Sequence, residues 1–332
     1  MADVMNINNP RVAEGGGEGS EEGSSVDDGR DHLIRRASRV HADSFLGEDI
    51  ASLAGDKPRG TSTPGAVFIV MNATLGAAML SLPYAANQCG GLLIFLLMQY
   101  AFAFLAAISM IILAKCADVG NASVYQEVVE TMTGSDLWVT FTRIMIAIYA
   151  FSSCVAYLVL VGDQGQEIVK FMVGSEDFSE HSDLYRRMIL LGMSCAVVLP
   201  LMMPRSISFL ELPGIVSFLS VLYVALAVAF LYNSEKVEDA NIKTRPDNGK
   251  AVFNSLPTIA FGYQCHVSGV PVYCSLKNRN LRNWIFILGS ATLLSSLIYS
   301  ITTIFGYLTF GDTVADDILL SYPSSSVAML IG

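Results

Sequence analysis

Val67–Gly91, VFIVMNATLGAAMLSLPYAANQCGG, is the stretch whose reading decides the fold of this chain. It has the length and apolar content of a membrane span. Yet it carries Asn72 and Thr74, then the small residues Gly76, Ala77 and Ala78, then Ser81 and Pro83. In hydrocarbon an amide without a partner costs on the order of several kcal/mol, so Asn72 needs protein, water or a bound ligand beside it. Gly76 and its neighbours permit either close helix approach or an interruption that leaves backbone carbonyls free. Two uses of Asn72 stay open: a neutral oxygen for a hard cation such as sodium, or a hydrogen bond to a neighbouring helix.

The rest of the chain agrees with a membrane reading. Of 332 residues, 52% are hydrophobic and only 15% charged, and the mean hydropathy is +0.49. This is too apolar for a soluble domain of that size and fits an all-α, polytopic bundle of transmembrane helices. The net charge of −10 comes mainly from the N-terminal tail and loops. No basic cluster has the density or aromatic interleaving that nucleic acid requires, so nucleic acid is not an expected partner. The six cysteines (Cys89, Cys116, Cys154, Cys195, Cys265 and Cys274) form no CxxC pair and no Cys/His spacing, so neither a structural metal nor a disulfide framework is expected. HExxH, GxSxG, P-loop and intramembrane carboxylate-pair patterns are all missing, so no enzyme is expected.

Residues 1–58, with GGGEGSEEGSS at their centre, hold too little apolar surface to order and read as a disordered cytoplasmic tail. Residues 59–332 read as the membrane domain. No apolar run lies close enough to Met1 for a cleavable signal peptide. Spans of about 17–25 residues, enough to cross a bilayer, are expected at roughly 64–87, 91–114, 138–162, 187–204, 210–232, 251–273 and 285–309, with an eighth starting near Ser326. With the N-terminus inside, seven bases fall on each side. Adding Arg35, Arg36 and Arg39 of the tail makes ten against seven and favours that orientation. Asn121, in the one sequon outside an apolar span, is then cytoplasmic, and glycan on it would overturn this topology.

Two more spans carry polar chemistry. In TIAFGYQCHVSGVPVY, residues 258–273, Gly262, Gln264, His266, Ser268, Gly269 and Pro271 crowd into ten residues, which predicts a broken helix between Gly262 and Pro271. Breaks of this kind present half-helix ends to a zwitterionic or anionic solute and carbonyls to a cation. His266 is either a hydrogen-bond anchor or a possible proton relay. In the span 285–309, Thr292, Ser296, Tyr299, Thr303 and Gly306 recur at helical spacing on one face, suited to helix packing or to lining a solute path.

Three motifs now stand together: Asn72-Ala73-Thr74-Leu75-Gly76 with Leu80-Ser81-Leu82-Pro83-Tyr84; Cys265-His266 through Pro271-Val272-Tyr273 to Leu276-Lys277-Asn278-Arg279; and Phe305-Gly306-Tyr307-Leu308-Thr309-Phe310-Gly311. They resemble the sodium-coupled neutral amino acid transporters of the amino acid and auxin permease superfamily, in order from about Ser62 to the end. The resemblance implies a leucine-transporter-like fold of inverted five-helix repeats, with the first and sixth helices broken around a central site. It implies a secondary active transporter that moves small neutral amino acids such as glutamine, alanine and asparagine, by alternating access and with sodium as the co-transported ion and no other cofactor. It places sodium at Asn72 and the amino acid at Ala73, Gly76, Phe261, Gly262, Gln264 and Cys265. The expected location is the plasma or lysosomal membrane, with the lipid bilayer, sodium and the amino acid as partners.

The chain departs from the family pattern by stopping at Gly332, just inside the eighth helix, where relatives supply hydroxyls to the sodium site. The expected fold is therefore a partial inverted repeat. Two alternatives accompany the main reading: a proton-coupled or vesicular amino acid carrier with His266 in the relay, and a truncated isoform that transports nothing.

Overall fold

In a computed structural model of the protein, residues 61–173, 182–198, 208–235, 237, 240–246 and 249–322 are described. The tail 1–58 and the span expected near Ser326 lie outside the described residues, as does part of the span expected at 187–204. Eleven α-helices follow in order among the described residues: α1 Thr63–Thr74, α2 Ala78–Cys89, α3 Leu92–Gly120, α4 Tyr125–Thr133, α5 Asp136–Val173, α6 Ser182–Met193, α7 Ser208–Glu235, α8 Gly249–Gly262, α9 His266–Cys274, α10 Leu281–Phe310 and α11 Ile318–Ser321. Helices α3, α5, α7 and α10 are long and apolar enough to cross a membrane, and α1 with α2 makes a further span bent by 57°. The protein is thus a helical membrane bundle.

The span expected at 251–273 is two short helices, α8 and α9, separated by Tyr263–Cys265. Pro271 was expected at the edge of this break and instead lies inside α9. There it withholds an N–H from the Val267 carbonyl, so it weakens the second half-helix without ending it. The expected span at 138–162 extends in both directions into the long helix α5.

The broken helices pack antiparallel, first half against second: α8 lies on α2 and α9 on α1. Helix α10 is the hub, in contact with α1, α2, α3 and α7, and its fully buried Trp284, Tyr299 and Tyr307 fill the space between them. In lipid, side-chain packing and interhelical hydrogen bonds hold such helices together, and small residues let backbones approach. Gly306 serves this purpose against Pro83: a Cβ there would sit 2.9 Å from the proline Cγ. By contrast, the most apolar stretch of α5 buries none of its residues, and Phe151 and Leu158 project outward, as a lipid-facing surface requires.

Both ends of the broken pair are tied. At the start of α1, Ser62 caps the helix by accepting from the Gly65 N–H at 3.3 Å. Thr61 N–H donates to Ser275 O at 2.7 Å, and Lys277 N–H donates to Thr61 O at 3.1 Å. Close by, Asp118 at the end of α3 pairs with Arg279 at 2.9 Å and accepts from the Tyr273 hydroxyl. At the other end, Gly90 and Gly91 (φ 92° and 127°) turn the chain after α2 against the backbone of Lys243–Pro246, where a Cβ would collide.

Candidate functional site

At both breaks the regular i→i−4 ladder gives way. Leu75 N–H closes α1 on Met71 O at 2.8 Å, and the chain restarts with Met79 N–H donating to Gly76 O and Leu80 N–H to Ala77 O, each at 3.1 Å. At the second break Tyr263 N–H donates to Ala260 O and Gln264 N–H to Phe261 O, each at 3.3 Å, before Gly269 N–H restarts the ladder on Cys265 O. Each first half therefore ends with carbonyls, the negative pole of its helix, directed at the interruption.

The breaks meet at Tyr299 of α10. Its fully buried hydroxyl donates toward Thr74 O at 2.7 Å and Gly262 O at 3.0 Å, the last residues of α1 and α8. The Tyr299 ring packs edge-on against Tyr263, with centroids 5.6 Å apart. The Tyr263 hydroxyl in turn shares a 2.8 Å hydrogen bond with Ser296 Oγ. Thr74, Cys265 and Thr292 share a small void of about 10 Å³.

Three larger cavities surround this junction. Asn72 and Gly76 line one of about 360 Å³, with Tyr157 of α5 and Ser217 and Ser220 of α7. The Tyr157 hydroxyl would stand 3.0 Å from a Cβ at Gly76. A second cavity of about 450 Å³ shares the Ala77 and Leu160 walls and is lined by Phe261, Ser81 and Thr258, with Asp163, Asp316 and Asp317 at its edge. Burial pushes the Asp317 carboxyl up from its ordinary range, while hydrogen bonds from the Leu319 N–H and the Gln164 amide, the latter at 2.7 Å, oppose the shift. The third, about 720 Å³, lies on the other side of the second break. It is lined by Gln264, Tyr263, His266 and Ser109, and His266 Nε2 lies 2.6 Å from Ser109 Oγ.

The residues singled out in the sequence therefore divide. Asn72 and Gly76 face one cavity, Phe261 the adjoining one, and Gln264 and His266 the third. Gly262 is buried against Tyr299 and Ala78, Cys265 faces the small void, and Ala73 is exposed on the outside of α1. Gln99 of α3 escaped the sequence reading. Its fully buried amide donates to Ser296 O at 3.2 Å and Ser300 Oγ at 3.0 Å, and its signal was a lone amide in an otherwise apolar run. Tyr157 was also missed, because a tyrosine near the end of a span usually marks only the interface.

Residues 59–332 match the family described as transmembrane amino acid transporter protein. The chain is 36% identical over 284 residues to sodium-coupled neutral amino acid transporter 7 of Danio rerio, covering 84% of this chain and 61% of that protein. It is 35% identical over 317 residues to the Rattus norvegicus protein of the same name, covering 94% and 68%. It is 32% identical over 275 residues to solute carrier family 38 member 8 of Homo sapiens, covering 81% and 63%. The chain thus spans about three fifths to two thirds of the length of these relatives. No solved structure matches it. With the family match over residues 59–332, most of its length, this chain belongs to the transmembrane amino acid transporter family.

Proposed function

We propose that this protein is a secondary active carrier of small neutral amino acids, driven by sodium and working by alternating access around the two broken helices. The observation that carries the reading is the antiparallel pair of interrupted helices whose breaks converge, with Asn72 lining a cavity of about 360 Å³ beside the first break. The Asn72 amide oxygen and the backbone carbonyls at the end of α1 offer hard neutral ligands for sodium. Gly76, Phe261, Gly262, Gln264 and Cys265 are assigned to the amino acid; Ala73, exposed on the outside of α1, lines none of these cavities and is left out. The names of the relatives support both cargo and ion.

The test is uptake of radiolabelled glutamine, alanine and asparagine by the full-length protein in vesicles, with sodium or with choline. Uptake should rise severalfold with sodium, and Asn72→Ala should raise the half-saturating sodium concentration by about tenfold, the cost of one direct ligand to a cation. Uptake indifferent to choline replacement sinks the sodium coupling. An unaltered sodium response in Asn72→Ala removes that residue from the ion site. One observation favours a second reading: the 2.6 Å contact of His266 with Ser109 on the wall of the cavity of about 720 Å³ suits a proton-coupled carrier. A steep response to pH with a flat response to sodium selects it.

A further inference from the structure

We infer that Tyr299 is a positioning residue whose single hydroxyl clasps the ends of both first half-helices and so fixes the separation of the two breaks; this rests on the transport reading above. The terminal carbonyl of a helix that stops has lost the N–H four residues onward, and in a membrane interior no water replaces it. Thr74 O and Gly262 O are both in this position, on helices far apart in the chain, and one donor reaches both, at 2.7 Å and 3.0 Å. Gly262 lies in ordinary contact with the Tyr299 ring, whose Cε2 would stand 3.4 Å from a Cβ there. Tyr263 packs edge-on against the ring, with centroids 5.6 Å apart, so the phenol is held from a further side.

A hydroxyl carries one hydrogen. Shared between two carbonyls, it binds each less tightly than it would bind one, and movement of either break returns the hydrogen wholly to the other. The state of the first break, beside Asn72, is thereby felt at the second, beside Gln264 and Cys265. Such a tie couples the ion to the solute, and linkage makes the coupling reciprocal.

Tyr299→Phe removes the hydroxyl and keeps the ring. Tyr307→Phe is the control: it removes a hydroxyl about two turns further along α10, where it accepts from the Lys243 N–H at 2.8 Å. Hydrogen–deuterium exchange of the full-length protein without ligand should show peptides across residues 75–78 and 263–266 both exchanging at least about threefold faster in Tyr299→Phe and neither in Tyr307→Phe. In uptake assays Tyr299→Phe should raise the glutamine KM about three- to tenfold at unchanged maximal rate, the size expected for one buried hydrogen bond, and should weaken the effect of sodium on that KM. Exchange that rises at one break alone or at neither overturns the clasp. So does a fall in maximal rate common to both variants with KM unmoved. If the wild type takes up no amino acid while both breaks still respond to Tyr299→Phe, the transport reading fails and the clasp stands.

Discussion

In both broken helices three residues separate the halves, and in both a proline occupies the sixth position of the second half, Pro83 in α2 and Pro271 in α9. Each proline withholds an N–H from the carbonyl four residues earlier, Met79 in one case and Val267 in the other, and so loosens the ladder just beyond the break. The material of the breaks differs. Leu75-Gly76-Ala77 is small and apolar, whereas Tyr263-Gln264-Cys265 is large and polar. The first break offers little but backbone, and what it needs in the way of hydroxyls comes from elsewhere, Tyr299 on one side and Tyr157 close to Gly76 on the other. The second carries its own side-chain anchor in the Tyr263–Ser296 hydrogen bond. A backbone-lined break suits an ion, which seeks carbonyl oxygens; a side-chain-lined break suits discrimination among solutes.

The comparison can be broken most sharply where the first broken helix meets the hub. Gly306→Ala would drive a Cβ to 2.9 Å from the rigid ring of Pro83 and 3.2 Å from Ile318 Cδ1, and should cost about 2 kcal/mol by overpacking. Thermal unfolding of the purified protein in detergent should register this as a drop of several degrees; an unchanged midpoint would show that α2 is free to slide on α10.

A smaller effect probes the second break. Tyr263→Phe keeps the ring stack on Tyr299 and leaves Ser296 Oγ without that partner, which should cost about 1 kcal/mol in the same assay. A larger loss would mean that the side-chain anchor, and not the clasp, holds the second break.

Gly76→Ala should do least to stability, within about 0.5 kcal/mol, because only the far end of the Tyr157 side chain stands in the way and φ at Gly76 is not in the left-handed region. Its effect belongs to function: an added methyl narrows the cavity beside Asn72, so the sodium dependence of uptake should shift while the melting temperature holds. A loss of several degrees would place Gly76 in the packing and remove the distinction between the breaks.

Much of the architecture was legible in the order of residues. Apolar runs of bilayer length announced helices α3, α5, α7 and α10, because hydrocarbon leaves the backbone no other way to satisfy its hydrogen bonds. The clustering of glycine, amide and imidazole around 262–266 announced an interruption, since each weakens the ladder or competes with it. Pro271 misled about its edge, because a proline inside a membrane helix costs one ladder hydrogen bond without ending the helix. The polar stripe on 285–309 could be read as packing or as lining; Ser296 and Tyr299 turn their hydroxyls to Tyr263 and to the ends of the first half-helices, while Thr292 lines the small void.

The sequence by itself determined the membrane bundle, an interruption in the span 251–273 and the family, since all three follow from local composition and from motifs written along the chain; that the first span also breaks, at Leu75–Ala77, and that the second restarts at His266, only the tertiary structure decided. Only the tertiary structure decided that Thr74 and Gly262, far apart in sequence, end on the same hydroxyl, and that Asn72 and Gln264 face different cavities. Those relations depend on the antiparallel crossing of two helices over a third, and periodicity within one helix fixes which face is polar but not which neighbour that face will meet.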